Sequence, residues 1–126
     1  MRIAAAVSLL TLALAGCSAA AERTLLTQFF ASSRLRDLTA LHDIATVVFE
    51  PATDGIVTRF DLLRVTVLTS DGQPLSKDVS ISAPVRLADG RAVVKTFVVT
   101  MQRGLPGSDR NRWGGWMITG IKAGLP

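Results

Sequence analysis

The single histidine of the sequence, His42, is the first candidate for acid–base chemistry near neutral pH. Asp43 follows it directly, and Asp37 precedes it by five positions. Side chains meet on a helix when they are three or four residues apart, so neither aspartate is spaced to orient the imidazole. We expect His42 to be a partly exposed structural residue and Asp61 to be a surface carboxylate. No catalytic residue is assigned.

The sequence gives even less support for a metal site, a nucleotide cofactor or nucleic-acid binding than for acid–base catalysis. One histidine and one cysteine, Cys17, make no ligand set for a transition metal. No glycine-rich phosphate loop joins a strand to a helix, so no cofactor is expected. The formal net charge is +4, but the basic residues do not cluster along one element with aromatic residues between them, so nucleic acid is not an expected partner. The turn-rich residues 103–112 carry three arginines, and a solvated hairpin connection is favoured over a site for anionic lipids or an acidic partner.

The N-terminal residues indicate export. Met1-Arg2 is positively charged, and residues 3–13 are apolar or small, a run too short to span a bilayer, which needs about 20 apolar residues. Leu14-Ala15-Gly16-Cys17 follows and resembles the lipobox of bacterial lipoproteins. That resemblance implies a signal peptide over residues 1–16, cleavage between Gly16 and Cys17, and a diacylglyceryl group on the Cys17 thiol.

The same resemblance implies a location. Serine at position 18 favours the outer membrane, so the protein is expected on the cell envelope, at the periplasmic face of the outer membrane if the host is Gram-negative. The alternative is an ordinary secretory signal cut near Ala19-Ala20-Ala21. After cleavage, residues 17–22 would form a lipidated tether and residues 23–126 a single α+β domain without an internal disulfide.

Hydrophobic periodicity predicts two helices at the start of this domain. Leu25, Leu26, Phe29 and Phe30 share one helix face, and Ser32-Ser33 offers an N-cap for a second helix that ends near Thr46. The apolar stripe of the second helix is expected to consist of Leu35, Leu38, Leu41, Ile44 and Ala45. A short strand at residues 47–49 and a loop after Pro51 complete this half.

The second half reads as β structure. Residues 57–69, 79–87, 92–102 and 113–121 alternate as strands, and Ala88-Asp89-Gly90-Arg91 is a hairpin signal. The expected fold is α+β, with two or three N-terminal helices packed on a curved, cone-like antiparallel sheet of four to five strands. The predicted core contacts join Leu25, Phe29, Leu38 and Leu41 to the inner faces of Leu63/Val65/Val67 and Val93/Phe97/Val99.

Two helices that precede a sheet ending in Trp116-Met117-Ile118-Thr119-Gly120-Ile121 resemble the nuclear transport factor 2-like superfamily. The resemblance covers most of residues 22–124 and implies a cone-shaped cavity between helices and sheet. Enzymes of that superfamily place Asp, His or Tyr in the cone, where Asp61 would be the remaining candidate. The absent tyrosine removes the oxyanion device of its isomerase branch. Members often dimerise through the outer face of the sheet.

Trp113 and Trp116 are the candidate interface residues. Three positions apart on a strand, they should point to opposite faces unless Gly114-Gly115 resets the register as a bulge or bend. If they point to opposite faces, one packs under the helices and the other lies on the outer sheet face as a contact for a partner. A half-buried anchor is the equal alternative.

The sequence therefore predicts a membrane-anchored envelope lipoprotein, held by the lipid on Cys17, that acts as a non-enzymatic binding or assembly module. Its sheet would contact an envelope protein or a second copy of the chain. The first alternative is a carrier of a small apolar ligand in the cone, and the second, less favoured, is an isomerase- or hydrolase-type enzyme.

Overall fold

The computed structural model describes residues 2–70, 73–105 and 113–124, with side chains described for 19–69, 75–105 and 113–124. Three helices come first: α1 (Arg2–Leu35), α2 (Leu38–Ile44) and α3 (Pro51–Asp54). Five strands follow: β1 (Ile56–Val57), β2 (Asp61–Ser70), β3 (Gln73–Arg86), β4 (Ala92–Arg103) and β5 (Trp116–Ala123). This is the predicted α+β fold, in which three helices accompany a curled antiparallel sheet.

β3 is the central strand of the sheet. It pairs with β4 along most of its length, and β4 pairs with β5. On its other side β3 pairs first with β2, as far as Ser82, and then with β1 from Val85. Pro84 falls in the gap between these two neighbours, where a residue without a backbone N–H removes no ladder hydrogen bond on that side.

The core lies between α1 and the inner face of β3 and β4. The first helix contributes Leu25, Leu26, Phe29 and Phe30, all buried as predicted. The sheet contributes alternate residues of β3 and β4, namely Val79, Ile81, Ala83, Val85, Phe97, Val99 and Met101. Phenylalanine rings fill the centre in edge-to-face contacts. The ring centroids of Phe30 and Phe49 are 5.4 Å apart, and those of Phe49 and Phe97 are 5.7 Å apart.

The two N-terminal helices meet differently from the prediction. Ser32-Ser33 does not start α2; instead the N–H groups of Asp37 and Arg36 bond to the carbonyls of Ser32 and Ser33, at 3.0 and 3.1 Å. This is a Schellman-type end with Arg36 at φ 55°, where glycine is usual. Asp37 then caps α2, its carboxylate accepting a bond from the Ala40 N–H at 3.1 Å.

Several other details of the predicted elements are wrong. Leu35 and Leu38, expected in the buried stripe, are 78% and 54% exposed, because the helix break puts both at open helix ends beyond the core. Residues 47–49 form no strand, although Ala45 makes a single bridge to Ile118. The expected loop after Pro51 is the short helix α3, since proline is well tolerated in a first helical turn.

The inner face of β2 is the largest correction. Leu63 and Val67 are 58% and 48% exposed, while Val65 is packed against the core. The β2–β3 register shifts between Leu62 and Arg64, so Leu63 is the extra residue of a bulge and the alternation restarts there. Val67 pairs with Lys77 on the same side of the sheet as Val65, yet it stays 48% exposed. The predicted hairpin at residues 88–91 is confirmed, with Leu87 N–H bonded to Arg91 O at 2.8 Å.

Candidate functional site

An ion pair inside the core is the chemical feature that stands out. Glu22 precedes Leu25, Leu26 and Phe29 by three, four and seven residues, so α1 places it on the same inward face. Lys77 shares the parity of Val79 and Ile81 on β3, so its side chain also points to the helix side. Local structure therefore forces both charged side chains into the space between α1 and the sheet.

The two side chains meet there. Lys77 Nζ donates to Glu22 Oε1, and the exposed fractions of the side chains are 11% for lysine and 1% for glutamate. The lysine ammonium also lies 3.9 Å from the centroid of the Trp116 ring, with the Arg103 guanidinium 5.3 Å from the same ring. An ammonium at that distance is attracted to the aromatic face, which adds to the stability of the pair.

The second carboxylate oxygen of Glu22 is different. Oε2 is buried and accepts no hydrogen bond from any residue that the structure describes. Leaving a buried charged acceptor without a donor is unfavourable by about 1–3 kcal/mol or more. A donor that reached this oxygen from the adjoining cavity would remove that penalty.

The cavity beside the pair has a volume of about 260 Å³. We call it the N-terminal groove, and its main lining residues are Glu22, Leu25, Lys77, Met101, Trp113 and Trp116. Leu25, Met101 and the two indoles supply apolar walls, and the ion pair supplies the polar end. A small concave site with apolar walls and few polar groups is typical of ligand pockets, although this volume lies just below the usual range of about 300–1,000 Å³.

Both tryptophans lie on this side of the sheet. Trp113 belongs to a turn before β5, in which Gly114 and Gly115 have φ values of 67° and 83°, and Trp116 N–H bonds back to Trp113 O at 3.3 Å. Positive φ at two successive positions favours glycine. The two indoles therefore do not point to opposite faces, because the glycine pair resets the register, which is the exception that the sequence allows for. Both are half-buried against the core.

The acid–base candidates from the sequence lie elsewhere. His42 is exposed on α2, Asp37 is engaged as the cap of that helix, and Asp61 is exposed at the start of β2. None of the three lines the N-terminal groove. Among the described residues no group of three or more His, Cys, Asp or Glu side chains could hold a metal ion.

Sequence reasoning missed the ion pair, although both halves of it left a signal. Glu22 falls in the predicted tether, yet its spacing from Leu25 and Leu26 continues the buried stripe. Lys77 interrupts an otherwise apolar inward series on β3. A charged residue in register with a buried face is a reason to look for a partner of opposite charge.

Cys17, the predicted attachment point of the lipid, lies outside the residues whose side chains are described, as does Gly16. Of the arginine-bearing residues 103–112, positions 106–112 lie outside the described residues. None of the helices in the described part of the chain has the length and hydropathy needed to cross a bilayer. Comparison of the chain with protein-family models, with curated proteins and with solved structures finds no match.

Proposed function

We propose that this protein is a lipid-anchored envelope module that binds a small amphipathic ligand in the N-terminal groove, without catalysing a reaction on it. Two observations carry the proposal: Glu22 lines an apolar cavity, and its buried Oε2 accepts no hydrogen bond from the described residues. Anchoring at Cys17 rests on the lipobox-like sequence, and the resemblance to the nuclear transport factor 2-like superfamily stays a prediction.

The groove defines the chemistry of the ligand. Its walls favour a short apolar or aromatic group, and Glu22 Oε2 favours a hydrogen-bond donor, best a cationic amine. Lys77 already donates to the other carboxylate oxygen, so its charge is balanced within the pair, and an anionic ligand head would be repelled by the Glu22 carboxylate. We therefore propose an apolar group bearing an ammonium, with a hydroxyl as the weaker substitute.

Binding is favoured over catalysis because His42, Asp37 and Asp61 all lie away from the groove. It is also favoured over assembly through the outer face of the sheet. A tryptophan on that face is one of the two equal expectations from the sequence, and both indoles line the groove instead. Residues such as Asp78 and Thr100 occupy the outer face instead and bond to each other at 2.8 Å.

Intrinsic fluorescence tests the proposal directly, because the chain has two tryptophans and both line the groove. The full chain in lipid nanodiscs is titrated with 2-phenylethylamine, 2-phenylethanol and phenylacetate, which share a ring and differ in the charge of the head. We expect saturable changes in the order amine, alcohol, carboxylate. Non-saturable or equal responses to all three would contradict the proposed ligand class.

A matched pair of variants locates the binding. The double variant Glu22→Gln/Lys77→Met keeps the net charge and removes the carboxylate, so the preference for the amine should disappear. Glu50→Gln removes an exposed carboxylate outside the groove and should leave the titration unchanged. Retention of the amine preference in the double variant would show that Glu22 does not receive the ligand.

A further inference from the structure

The tip of the β2–β3 hairpin carries apolar side chains that the core does not cover. Val67, Leu68 and Leu75 are 48%, 55% and 48% exposed. Val67 pairs with Lys77, so it lies on the helix side of the sheet, and Leu68 pairs with Ser76 on the other side. A strand with one buried face should alternate apolar and polar residues. Apolar side chains on both faces of a hairpin tip are not explained by packing within the domain.

The direction of α1 relates this tip to the N-terminus. Glu22 is bonded to Lys77, and twelve residues later the Arg34 guanidinium donates to the carbonyl of Val57 at 2.7 Å. Val57 pairs with Val85 on β3. Residue numbers therefore rise in the same direction along α1 and along β3, and lower numbers on both elements lead to the same end of the molecule.

The distances from the ion pair to that end agree. Cys17 precedes Glu22 by five residues of α1, about 7.5 Å at the helical rise per residue. Leu75 precedes Lys77 by two residues of β3, about 6.6 Å at the rise of a strand. The anchoring residue and the apolar hairpin tip thus extend by nearly the same length beyond the Glu22–Lys77 pair.

We propose that this end of the domain is a membrane-contacting surface, in which Leu68 and Leu75 enter the bilayer interface beside the lipid attached to Cys17. The inference rests on the proposed anchoring and adds an orientation to it. Burial of apolar side chains at the boundary of headgroups and acyl chains supplements acyl anchors. Trp113, Trp116 and Arg103 lie at the same end, and aromatic and basic residues are common at that depth. The N-terminal groove, which is lined on α1 by Ala21, Glu22, Thr24 and Leu25, then lies next to the lipid headgroups.

Site-directed spin labelling of the full chain tests the orientation. Leu68→Cys and Leu75→Cys report on the hairpin tip, while Leu35→Cys and Val94→Cys report on exposed apolar positions at the opposite end, 78% and 74% exposed. Each labelled chain is reconstituted in vesicles of phosphatidylethanolamine and phosphatidylglycerol. Collision rates of the nitroxide are then measured with oxygen, which is enriched in the hydrocarbon, and with a water-soluble nickel chelate.

We expect nitroxides at 68 and 75 to collide mainly with oxygen and those at 35 and 94 mainly with nickel. Equal, nickel-dominated collisions at all four positions, or no association of the chain with vesicles, would overturn the membrane-contacting surface. Absence of the lipid anchor is detected by a separate control, in which the chain without an added cysteine is treated with the nitroxide reagent. It is labelled at Cys17 only if that thiol is not acylated. Failure of ligand binding is read from the amine titration, which does not depend on the orientation of the domain.

Discussion

Breaking the Glu22–Lys77 pair should destabilise the domain more than removing it entirely. The exposed fractions of the two side chains are 1% and 11%, so Glu22→Gln or Lys77→Met alone leaves a charge buried without its partner. Such single replacements reduce the free energy of unfolding by about 3–5 kcal/mol. Lys77→Met also loses the contact with the Trp116 ring, worth about 0.5–2 kcal/mol. Against a total of about 5–15 kcal/mol, either loss is large.

The double variant Glu22→Gln/Lys77→Met should recover most of this stability. Replacing a buried ion pair by groups of similar volume is often neutral, or stabilising by about 1–4 kcal/mol. We therefore expect a coupling energy of several kcal/mol in the double-mutant cycle, and a fall in Tm of about 12 °C or more for each single variant. Circular dichroism during thermal and urea unfolding gives the Tm and the free energy of unfolding of the wild type, the two single variants and the double variant.

Asp89 and Arg91 provide the matched control. Their side chains are bonded at 2.7 Å but are 53% and 72% exposed, so solvent and salt screen the pair. The cycle Asp89→Asn/Arg91→Met should show a much smaller coupling than the Glu22–Lys77 cycle. If the Glu22–Lys77 cycle gave an equally small coupling, the ion pair would not be buried as described, and the polar end of the groove would be wrong with it.

Three further predictions follow from the core, the anchor and the hairpin. Phe29→Ala should lower the free energy of unfolding by about 3–5 kcal/mol because Phe29 is fully buried. Leu38→Ala should change it by less than about 0.5 kcal/mol because Leu38 is exposed. Equal losses of stability in thermal unfolding would mean that Leu38 is buried, as the sequence predicts. Cys17→Ser should abolish incorporation of a fatty-acid probe, and undiminished labelling would exclude lipidation there. Hydrogen bonds from the backbone and side chain of Arg91 lower the pKa of Asp89 below its ordinary value of 3.8, so this carboxylate stabilises the fold above that value and loses its effect as the pH falls through the lowered pKa. The Tm difference between wild type and Asp89→Asn should therefore be present at neutral pH and vanish in acid. A Tm difference that is independent of pH would contradict the assignment.

The α+β order and much of the core could be predicted because they depend on local periodicity. Leu25, Leu26, Phe29 and Phe30 repeat with the helical period, and all four are buried. The hairpin at residues 88–91 depends on the turn chemistry of four consecutive residues, where Asp89 accepts a bond from the Arg91 N–H at 2.9 Å. Such features need no knowledge of the rest of the chain.

The errors occur where a single residue shifts the register or where the covering element ends. Leu63 is apolar and alternates in step with Val65, as a core residue should, but the bulge beside Leu62 turns it outward. The surrounding residue types do not indicate a bulge. Arg36 ends α1 in a left-handed conformation that sequence rules reserve for glycine or asparagine. Tertiary packing determines both the bulge at Leu63 and the left-handed conformation of Arg36, and it compensates for the local strain.

The ion pair joins residues 55 positions apart in the sequence, so its partners could be suspected one at a time but not paired. Its presence also bears on function. A buried salt bridge is weak support for stability, since apolar residues of the same volume would stabilise the core as well or better. The pair moreover leaves Glu22 Oε2 without a donor among the described residues, a penalty that an apolar pair would avoid. Stability alone therefore does not explain a carboxylate at this position. We propose instead that a ligand donates to Oε2, because a charge-assisted hydrogen bond there would remove the penalty that this oxygen carries.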